Sequence, residues 1–378
     1  MEKENLGKNN YNRGSIWRKW DLHLHTPYTK LNDQYVSKEG KDKWDLFCEK
    51  IESSDVSVFG ITDYFSIENY FTFIKNFRIK YPNSKKVFFP NIEFRTDSKN
   101  SKSEHIQFHI LFSNNINTLE KINDFFTRLK LVSTDNQNLT NKYCTNSDLT
   151  EIGYDKAMVF IQNLEEQLKA DFIDDEYLII GVANGYGSLR PNGATDGRGS
   201  ENAKELDKKC DLFFGGSKNR DFFLNKVEGR NQYNLSIKPV AFGCDSHSFE
   251  ILDKKLGKSF EEKNHEDKIT DYAEITWVKA DPTFEGLKQI IYEPEDRVKI
   301  QELEPEEKED YQIIDKVKFI DNSFYPEEIL INQNLTTIVG GKSTGKSILL
   351  RNIAETIDSK EVSNRLDEVK IDPYSTSL

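Results

Sequence analysis

The chain has 378 residues, 36% hydrophobic and 12% aromatic, and carries 52 basic against 64 acidic side chains for a net charge of −12. A single core rarely grows beyond roughly 250–300 residues, so this length leaves room for two domains. The acidic balance excludes a surface that grips nucleic acid everywhere, because such binding needs many Lys and Arg to displace counterions, but a local basic groove stays open.

Taken from the start, residues 1–19 read as a polar tail without the apolar core of a signal peptide. No later stretch approaches about 18 continuous apolar residues, so a cytoplasmic protein with no membrane contact is the simplest expectation. From Trp20 to about Arg297, short apolar runs alternate with longer amphipathic segments. The runs VSVFGIT (56–62), KVFFPNIEF (86–94), HIQFHILF (105–112), YLIIGVA (177–183) and KPVAFGC (238–244) are rich in Val, Ile and Phe and predict strands. AMVFIQNLEEQLKA (157–170) has helical spacing. Strands alternating with helices point to the α/β class, with a parallel sheet or a barrel whose chemistry sits at strand ends.

Between these elements, Lys75, Arg78, Lys80, Lys85 and Lys86 form a basic run that reads as a solvated helix face and turn more readily than as a nucleic-acid groove. The stretch 113–150 is Asn- and Thr-rich and reads as an insertion. Residues 181–199 hold six glycines after a strand, which predicts a long loop, either plain surface or part of an active site. In the second case Arg190 or Arg198 would clamp a phosphate. Cys48, Cys144, Cys210 and Cys244 lie far apart without a CxxC pair, which argues against a disulfide framework or zinc knuckle. The Pro/Glu/Lys-rich passage 293–310 reads as a linker.

Six histidines are present, and their placement is informative. His23 and His25 sit in DLHLHT, where i and i+2 on a strand share a face. Two neutral imidazoles converging at a strand end suit a divalent transition metal. Asp245 and His247 repeat the arrangement in FGCDSHS, and Glu93 at the end of FFPNIEF offers a bridging carboxylate. His105 and His109 share a strand face but stand roughly 13 Å apart at about 3.3 Å per residue, too far to hold one ion. His109, directly before ILF, is the better ligand candidate, and His105 reads as a surface or supporting residue.

In this order, HxH, TD, E, H and DSH resemble the PHP phosphoesterase superfamily over about residues 20–255. The resemblance implies a distorted (β/α)7 barrel holding up to three metals, often zinc, manganese or iron, and hydrolysis of phosphate esters. Carried over by motif, the ligands are His23, His25, Glu93, His109, Asp245 and His247. Two positions depart from the pattern: Tyr64 follows Asp63 where many members have histidine, and Asn184 stands where an AHP-type histidine is expected. The resemblance thus implies a core site with one or two metal positions weakened. In it Glu93 bridges two ions, and Asp63 orients or deprotonates water.

Gly340, Gly341, Lys342, Ser343, Thr344, Gly345, Lys346 and Ser347 read GGKSTGKS, the full GxxxxGK[ST] pattern, after an apolar run LTTIV (335–339) predicted as a strand and before a predicted helix. Such a loop cradles phosphates with backbone N–H groups, Lys346 reaching the β/γ-phosphates of ATP and Ser347 its Mg²⁺. With TWVKADPTFEGLKQIIYEPEDRV (276–298), DLHLHTP and this loop, the chain resembles bacterial PHP–ATPase fusions, the TrlF-like AAA-like ATPases, which are themselves similar to SMC and ABC-type ATPases. That resemblance implies a tail at 1–19, a PHP domain at 20–292, a linker at 293–310 and the N-terminal fragment of a P-loop ATPase domain at 311–378. Further ATPase segments or a partner chain would complete it. It also implies a nucleic-acid or nucleotide substrate, as in a nuclease, a link to phage defence, and room for a homo-oligomer. The competing expectation is a barrel that has lost turnover and serves its ATPase as a binding or sensing module.

Overall fold

The computed structural model describes residues 13–37, 40–135, 141–189, 199–226, 235–306, 308–320 and 328–369, so Arg190 and Arg198 of the glycine-rich loop lie outside the described residues. The chain forms two compact units, Trp17–Glu306 and a smaller one made of Met1–Ile16 with Glu307–Leu378.

The larger unit is a mixed α/β structure around a nearly closed, barrel-like sheet. Its strands are β1 (Trp17–His25), β2 (Val58–Tyr64), β3 (Val87–Lys99), β4 (His105–Phe112), β5 (Leu131–Ser133), β6 (Ala157–Val159), β7 (Tyr177–Val182), β8 (Leu212–Phe214), β9 (Val240–Ala241), β10 (Phe260–Lys263), β11 (Ile269–Ala273), β12 (Thr276–Lys279) and β13 (Val298–Ile300). The main sheet runs β13-β12-β1-β2-β3-β4-β7-β8-β9, with β5 and β6 attached beside β3 and β10 paired only with β11.

The all-parallel alternative for the sheet needs correcting. β1-β2-β3 and β7-β8-β9 are parallel, but β4 runs antiparallel to both β3 and β7. Residues 100–104 are too short for a crossover helix, so β3 and β4 can only pair antiparallel. The free end of the sheet returns to the other side through one side chain. Just beyond β9, the N–H of Phe242 donates to the Thr276 hydroxyl on β12 at 2.7 Å, and that hydroxyl donates back to the Phe242 carbonyl at 3.0 Å.

Neighbouring residues on the central strands belong to different cores: Phe59 and Val58, Phe88 and Phe89, Ile110 and Leu111. Period-two alternation with both faces covered explains why these strands read as continuous apolar runs. One core packs Phe73 and Phe77 of the helix Glu68–Lys80 on Phe88, with ring centroids 4.9 and 4.8 Å apart. The same core takes Ile122, Phe125 and Phe126 of the helix Ile116–Arg128. The described helix within 113–150 is therefore built into the core, its spaced apolar residues having been diluted in sequence by Asn and Thr. Ala157–Val159 is strand β6, and the helix expected from residue 157 starts at Ile161. Tertiary pairing with β5 takes three apolar residues that helical spacing also allowed.

The basic run is used internally. Arg78 donates to the carbonyls of Ser84 and Lys86, both at 2.9 Å, Lys80 pairs with Asp45 and Glu49, and Lys86 donates to the carbonyls of Ser54 and Val56 at 2.7 Å. Only Lys75 and Lys85 of the five are left on the exposed surface. The four cysteines are buried thiols without disulfide partners.

In the smaller unit, β14 (Lys316–Lys318) pairs antiparallel with β15 (Glu328–Leu330), and helices span Lys346–Ile357 and Ser359–Val369. Arg13 pairs with Asp315 at 2.7 Å, and Asn332 donates to the carbonyls of Arg13 and Ser15 at 2.7 and 2.9 Å. LTTIV is not a strand here; Leu335 and Val339 are exposed. A ladder needs a neighbour, and among the described residues none pairs with it. In the glycine-rich loop Ser343 and Gly345 take left-handed backbone (φ 64° and 84°), and Lys346 opens the helix with Nζ on the carbonyls of Gly340 and Gly341 at 2.8 and 2.6 Å. No helix among the described residues is long and apolar enough to cross a membrane.

Candidate metal centre

β1 departs from regular pairing where its histidines begin. Its register with β2 shifts between Asp21 and Leu24. The backbone groups freed by that irregularity are taken by side chains of the next two strands. Asn91 donates to the Leu22 carbonyl at 2.9 Å, and the Leu24 N–H donates to the Thr62 hydroxyl at 3.2 Å. Asn91 also donates to Thr62 at 3.0 Å. Bulges of this kind re-aim side chains next to active sites. At the strand end, Tyr35 donates its hydroxyl to the His25 carbonyl at 2.8 Å.

Register does the rest on β2, β3 and β4. Glu93 lies directly opposite Tyr64 on one side and His109 on the other, so three side chains from three strands share one cross-strand row. The fourth contribution comes from the segment after β9. Its Asp245 N–H donates to the His23 carbonyl at 2.9 Å, and the Cys244 N–H donates to the buried Asp21 carboxylate at 3.1 Å. Gly243 is required there, because a Cβ would fall 2.4 Å from the Cβ of His23. The segment is thereby fastened to β1, and Asp245, itself in left-handed backbone (φ 46°), turns toward the histidines.

The result is a cluster of nitrogen and oxygen donors. His23 Nε2 and His25 Nε2 are 3.3 Å apart. Glu93 Oε2 lies 3.7, 3.3 and 3.9 Å from Nε2 of His23, His25 and His109, and Asp245 Oδ1 lies 3.2, 3.5 and 3.5 Å from Nε2 of His23, His25 and His247. Two subsets have the compactness of a metal site: His23, His25 and Glu93, and His25, Asp245 and His247. Imidazoles with carboxylates are the donor set of zinc-like and manganese-like ions. Both ring nitrogens of His109 and Nδ1 of His247 are buried without a hydrogen-bond partner among the described residues, which costs free energy unless a further group engages them. The residues present therefore fit divalent ions.

Charge in the cluster is arranged for cations. Burial opposes ionisation of Glu93, but the histidines around it, His109 foremost, hold its carboxyl well below the usual range. Burial lowers His25 to about 4 and His109 to about 3, so both are neutral ligands at pH 7. His23 goes the other way: burial lowers it, but Asp245 and Glu93 outweigh that and raise it to about 9. Burial, with Glu93 and Asp245 nearby, raises the Tyr64 phenol and keeps it protonated. Its ring stacks on His25 with centroids 4.7 Å apart, and its Oη is 3.5 Å from His247 Nε2.

Asp63 stands apart from the cluster. Its Oδ1 accepts from the Thr29 hydroxyl at 2.9 Å and from the N–H groups of Lys30 and Tyr64 at 2.8 Å, while its Oδ2 accepts from Asn69 at 2.6 Å. The resemblance gives Asp63 the task of orienting or deprotonating water; here its oxygens accept four hydrogen bonds from the protein. Asp63 connects to the cluster through Thr29, whose Oγ1 lies 3.2 Å from His25 Nδ1. Because the Thr29 hydroxyl donates to Asp63, it is available to accept from His25 Nδ1–H, the tautomer that leaves Nε2 facing Glu93. His105 is also outside the cluster, with Nδ1 2.9 Å from the Thr96 carbonyl. Spacing gave no signal for Thr29, since a threonine four residues after a histidine has no special meaning until a loop folds back. Thr29→Val is expected to weaken metal affinity about 10–100-fold while leaving the melting temperature within a few degrees. Titration calorimetry with Mn²⁺ beside a thermal melt checks both.

Beside the centre opens a cavity of about 270 Å³. His23, Asp245 and Phe214 form one side, and Phe214 stacks on His23 with centroids 5.0 Å apart. Tyr272 of β11 and Asn184 from the loop after β7 also line the cavity, joined by a 3.2 Å hydrogen bond from Asn184 Nδ2 to the Tyr272 hydroxyl. That loop turns back along the sheet: the Gly187 carbonyl accepts from Gln107 of β4 at 2.9 Å, and the Leu189 N–H donates to Val182 at 3.0 Å.

The sequence matches no family model and no curated protein. Among solved structures, the chain is similar to a two-domain protein of Bacteroides vulgatus containing a predicted PHP-like metal-dependent phosphoesterase, at 9% identity and a TM-score of 0.40 over 76% of this chain; it spans 65% of that protein. It is also similar to a candidate metal-dependent phosphoesterase of Bifidobacterium adolescentis, at 8% identity and a TM-score of 0.36, over 74% of this chain and 97% of the other. Both likenesses are distant, and the chemistry of this chain rests on its own residues.

Proposed function

We propose that residues 17–306 act as a divalent-metal-dependent phosphoesterase, with His23, His25, Glu93, His109, Asp245 and His247 holding the ions. The observation that carries this reading is the meeting of donor atoms from β1, β3, β4 and the segment after β9 within 3.2–3.9 Å, together with the unspent nitrogens of His109. Bound ions supply Lewis acidity toward a phosphoryl oxygen and acidify a water nucleophile. The protein's part is positional. Glu93, 3.3 and 3.9 Å from Nε2 of His25 and His109, would be the carboxylate shared between the ions, and Thr29 and Asp63 would hold His25 in its liganding orientation. Tyr64, kept protonated, offers a hydrogen bond to the phosphoryl group.

The test is elemental analysis of the full chain, paired with hydrolysis of p-nitrophenyl phosphate and bis(p-nitrophenyl) phosphate under Mn²⁺, Zn²⁺ and Mg²⁺. Bound metal and metal-dependent turnover are expected. A protein that binds no divalent ion overturns the reading. Bound metal without turnover under any ion favours a binding or sensing module instead, the reading supported by Tyr64, since a protonated phenol is a poor ligand.

Metal binding has a defined pH dependence. His23 is raised from its ordinary 6.5 to about 9, so its protonated form stabilises the metal-free fold below pH 6.5, a contribution lost as pH rises through about 9. An ion must displace that proton, so affinity is expected to rise about tenfold per pH unit up to about pH 9 and then level off. Mn²⁺ titrations between pH 6 and 10 read the slope directly, and a flat profile contradicts it.

For Gly340–Ser347 we propose a nucleotide phosphate site, supported by the left-handed Ser343 and Gly345 and the helix start at Lys346. Lys346→Ala is expected to weaken Mg²⁺–ATP binding at least about tenfold, measured by fluorescent-nucleotide titration.

A further inference from the structure

Resting on the phosphoesterase reading above, we infer that the cavity beside the metal centre is the subsite for the ester-linked group, and that it takes a flat, uncharged group of aromatic-ring size. Three observations lead there. The first is size. An enclosed apolar cavity of about 150 Å³ accommodates benzene, so this solvent-open pocket of about 270 Å³ has room for a ring beside the phosphate.

The second is shape and surface. Phe214 lines the cavity, already stacked on His23, and Tyr272 lines it beside Phe242, their ring centroids 5.6 Å apart and tilted. Asn184 holds the Tyr272 hydroxyl, and the hairpin that carries Tyr272 is pinned to the helix Phe249–Lys255. The pins are ion pairs from Lys254 to Glu262 and Asp271 at 2.9 and 2.8 Å, and from Lys255 to Asp271 at 2.8 Å. The aromatic wall is thus set in place by the fold, which favours stacking of a flat guest.

The third is charge. Among the described lining residues, Lys255 is the one lysine or arginine, and it is already paired with Asp271; Asp245 adds a second carboxylate. Apart from the ions themselves, no described lining residue offers an unpaired lysine or arginine to a second phosphate, and the carboxylates repel one.

Non-hydrolysable phosphonates separate binding from turnover. Calorimetric titration of the full chain, loaded with Mn²⁺, is expected to show phenylphosphonate binding about tenfold more tightly than methylphosphonate, with 1,4-phenylenebisphosphonate weaker than phenylphosphonate. In Tyr272→Ala the phenyl advantage is expected to shrink to within about twofold while methylphosphonate affinity stays unchanged, and Tyr272→Phe keeps the advantage. Equal affinities in the unmodified protein, a phenyl advantage that survives Tyr272→Ala, or a tighter bisphosphonate overturns the inference. Loss of both phosphonates in Tyr272→Ala also counts against it, because Tyr272 is then only a prop. If methylphosphonate binds with no phenyl advantage, the inference alone fails. If neither phosphonate binds the Mn²⁺-loaded protein, the phosphoesterase reading fails with it.

Discussion

Glu93→Gln is expected to cost the centre its metal, lowering affinity for Mn²⁺ or Zn²⁺ on the order of 100-fold or more, and to bring any phosphoesterase activity to background. The carboxylate is buried and lies within 4 Å of three imidazoles; Asp245 also reaches three, but its side chain is exposed, so Glu93 is the buried negative charge at the heart of the cluster. Glutamine keeps the volume and one oxygen but removes the charge that attracts a divalent ion and offsets a protonated His23. The variant's His23 is therefore expected to titrate lower than about 9, and an NMR titration of the metal-free protein reads that shift. A Glu93→Gln protein that keeps its metal but melts earlier would make Glu93 a structural residue and remove the central support for a bridged site.

Gly60→Ala is expected to be the most damaging single methyl in the larger unit. An added Cβ would lie 2.1 Å from the Leu22 carbonyl oxygen and 2.6 Å from its carbon. These are backbone atoms, so no rotamer change relieves the clash, and β1 has to separate from β2. Overpacking of this severity costs about 3 kcal/mol or more. The strand that moves carries His23 and His25, so metal content and unfolding midpoint are expected to fall together. An alanine variant with the parent's midpoint in urea and the parent's metal stoichiometry contradicts this. Nothing in the residues around Gly60 announces the constraint, because it comes from the irregular passage of β1 over its neighbour.

The two cases show which parts of the site could be read early. His23 with His25 was legible because side-chain alternation along a strand is a local rule; Asp245 and His247 meet the cluster instead from irregular backbone after β9, with Asp245 left-handed, so the alternation expected of them does not apply. Glu93 and His109 could be singled out by their position in apolar runs. Their pairing across β3 and β4 was not, since register depends on how two distant segments slide against each other. Asp63 is the instructive contrast. Its neighbourhood in sequence suggested work on water, yet Thr29, Lys30, Tyr64 and Asn69 bring four donors to its carboxylate and make it a support for His25. The 113–150 stretch differs for a similar reason, as its polar majority hid the Ile122, Phe125 and Phe126 face that the core selects.

By itself, then, the amino-acid order determined what local periodicity and loop chemistry encode: the α/β class, the strand that carries the HxH pair, the absence of a disulfide pattern, and a glycine-rich loop opening a helix at Lys346. The tertiary structure decided what depends on non-local contact. It set the mixed direction of the sheet, closed it through Thr276 and Phe242, and brought Tyr64, Glu93 and His109 into one row. It joined Asp63 to Thr29 and brought Tyr272 and Phe214 to one cavity. The physical reason is that an isolated segment holds its own dihedral and periodic preferences, whereas burial, cross-strand register and the charge environment of a carboxylate exist only once distant segments have met.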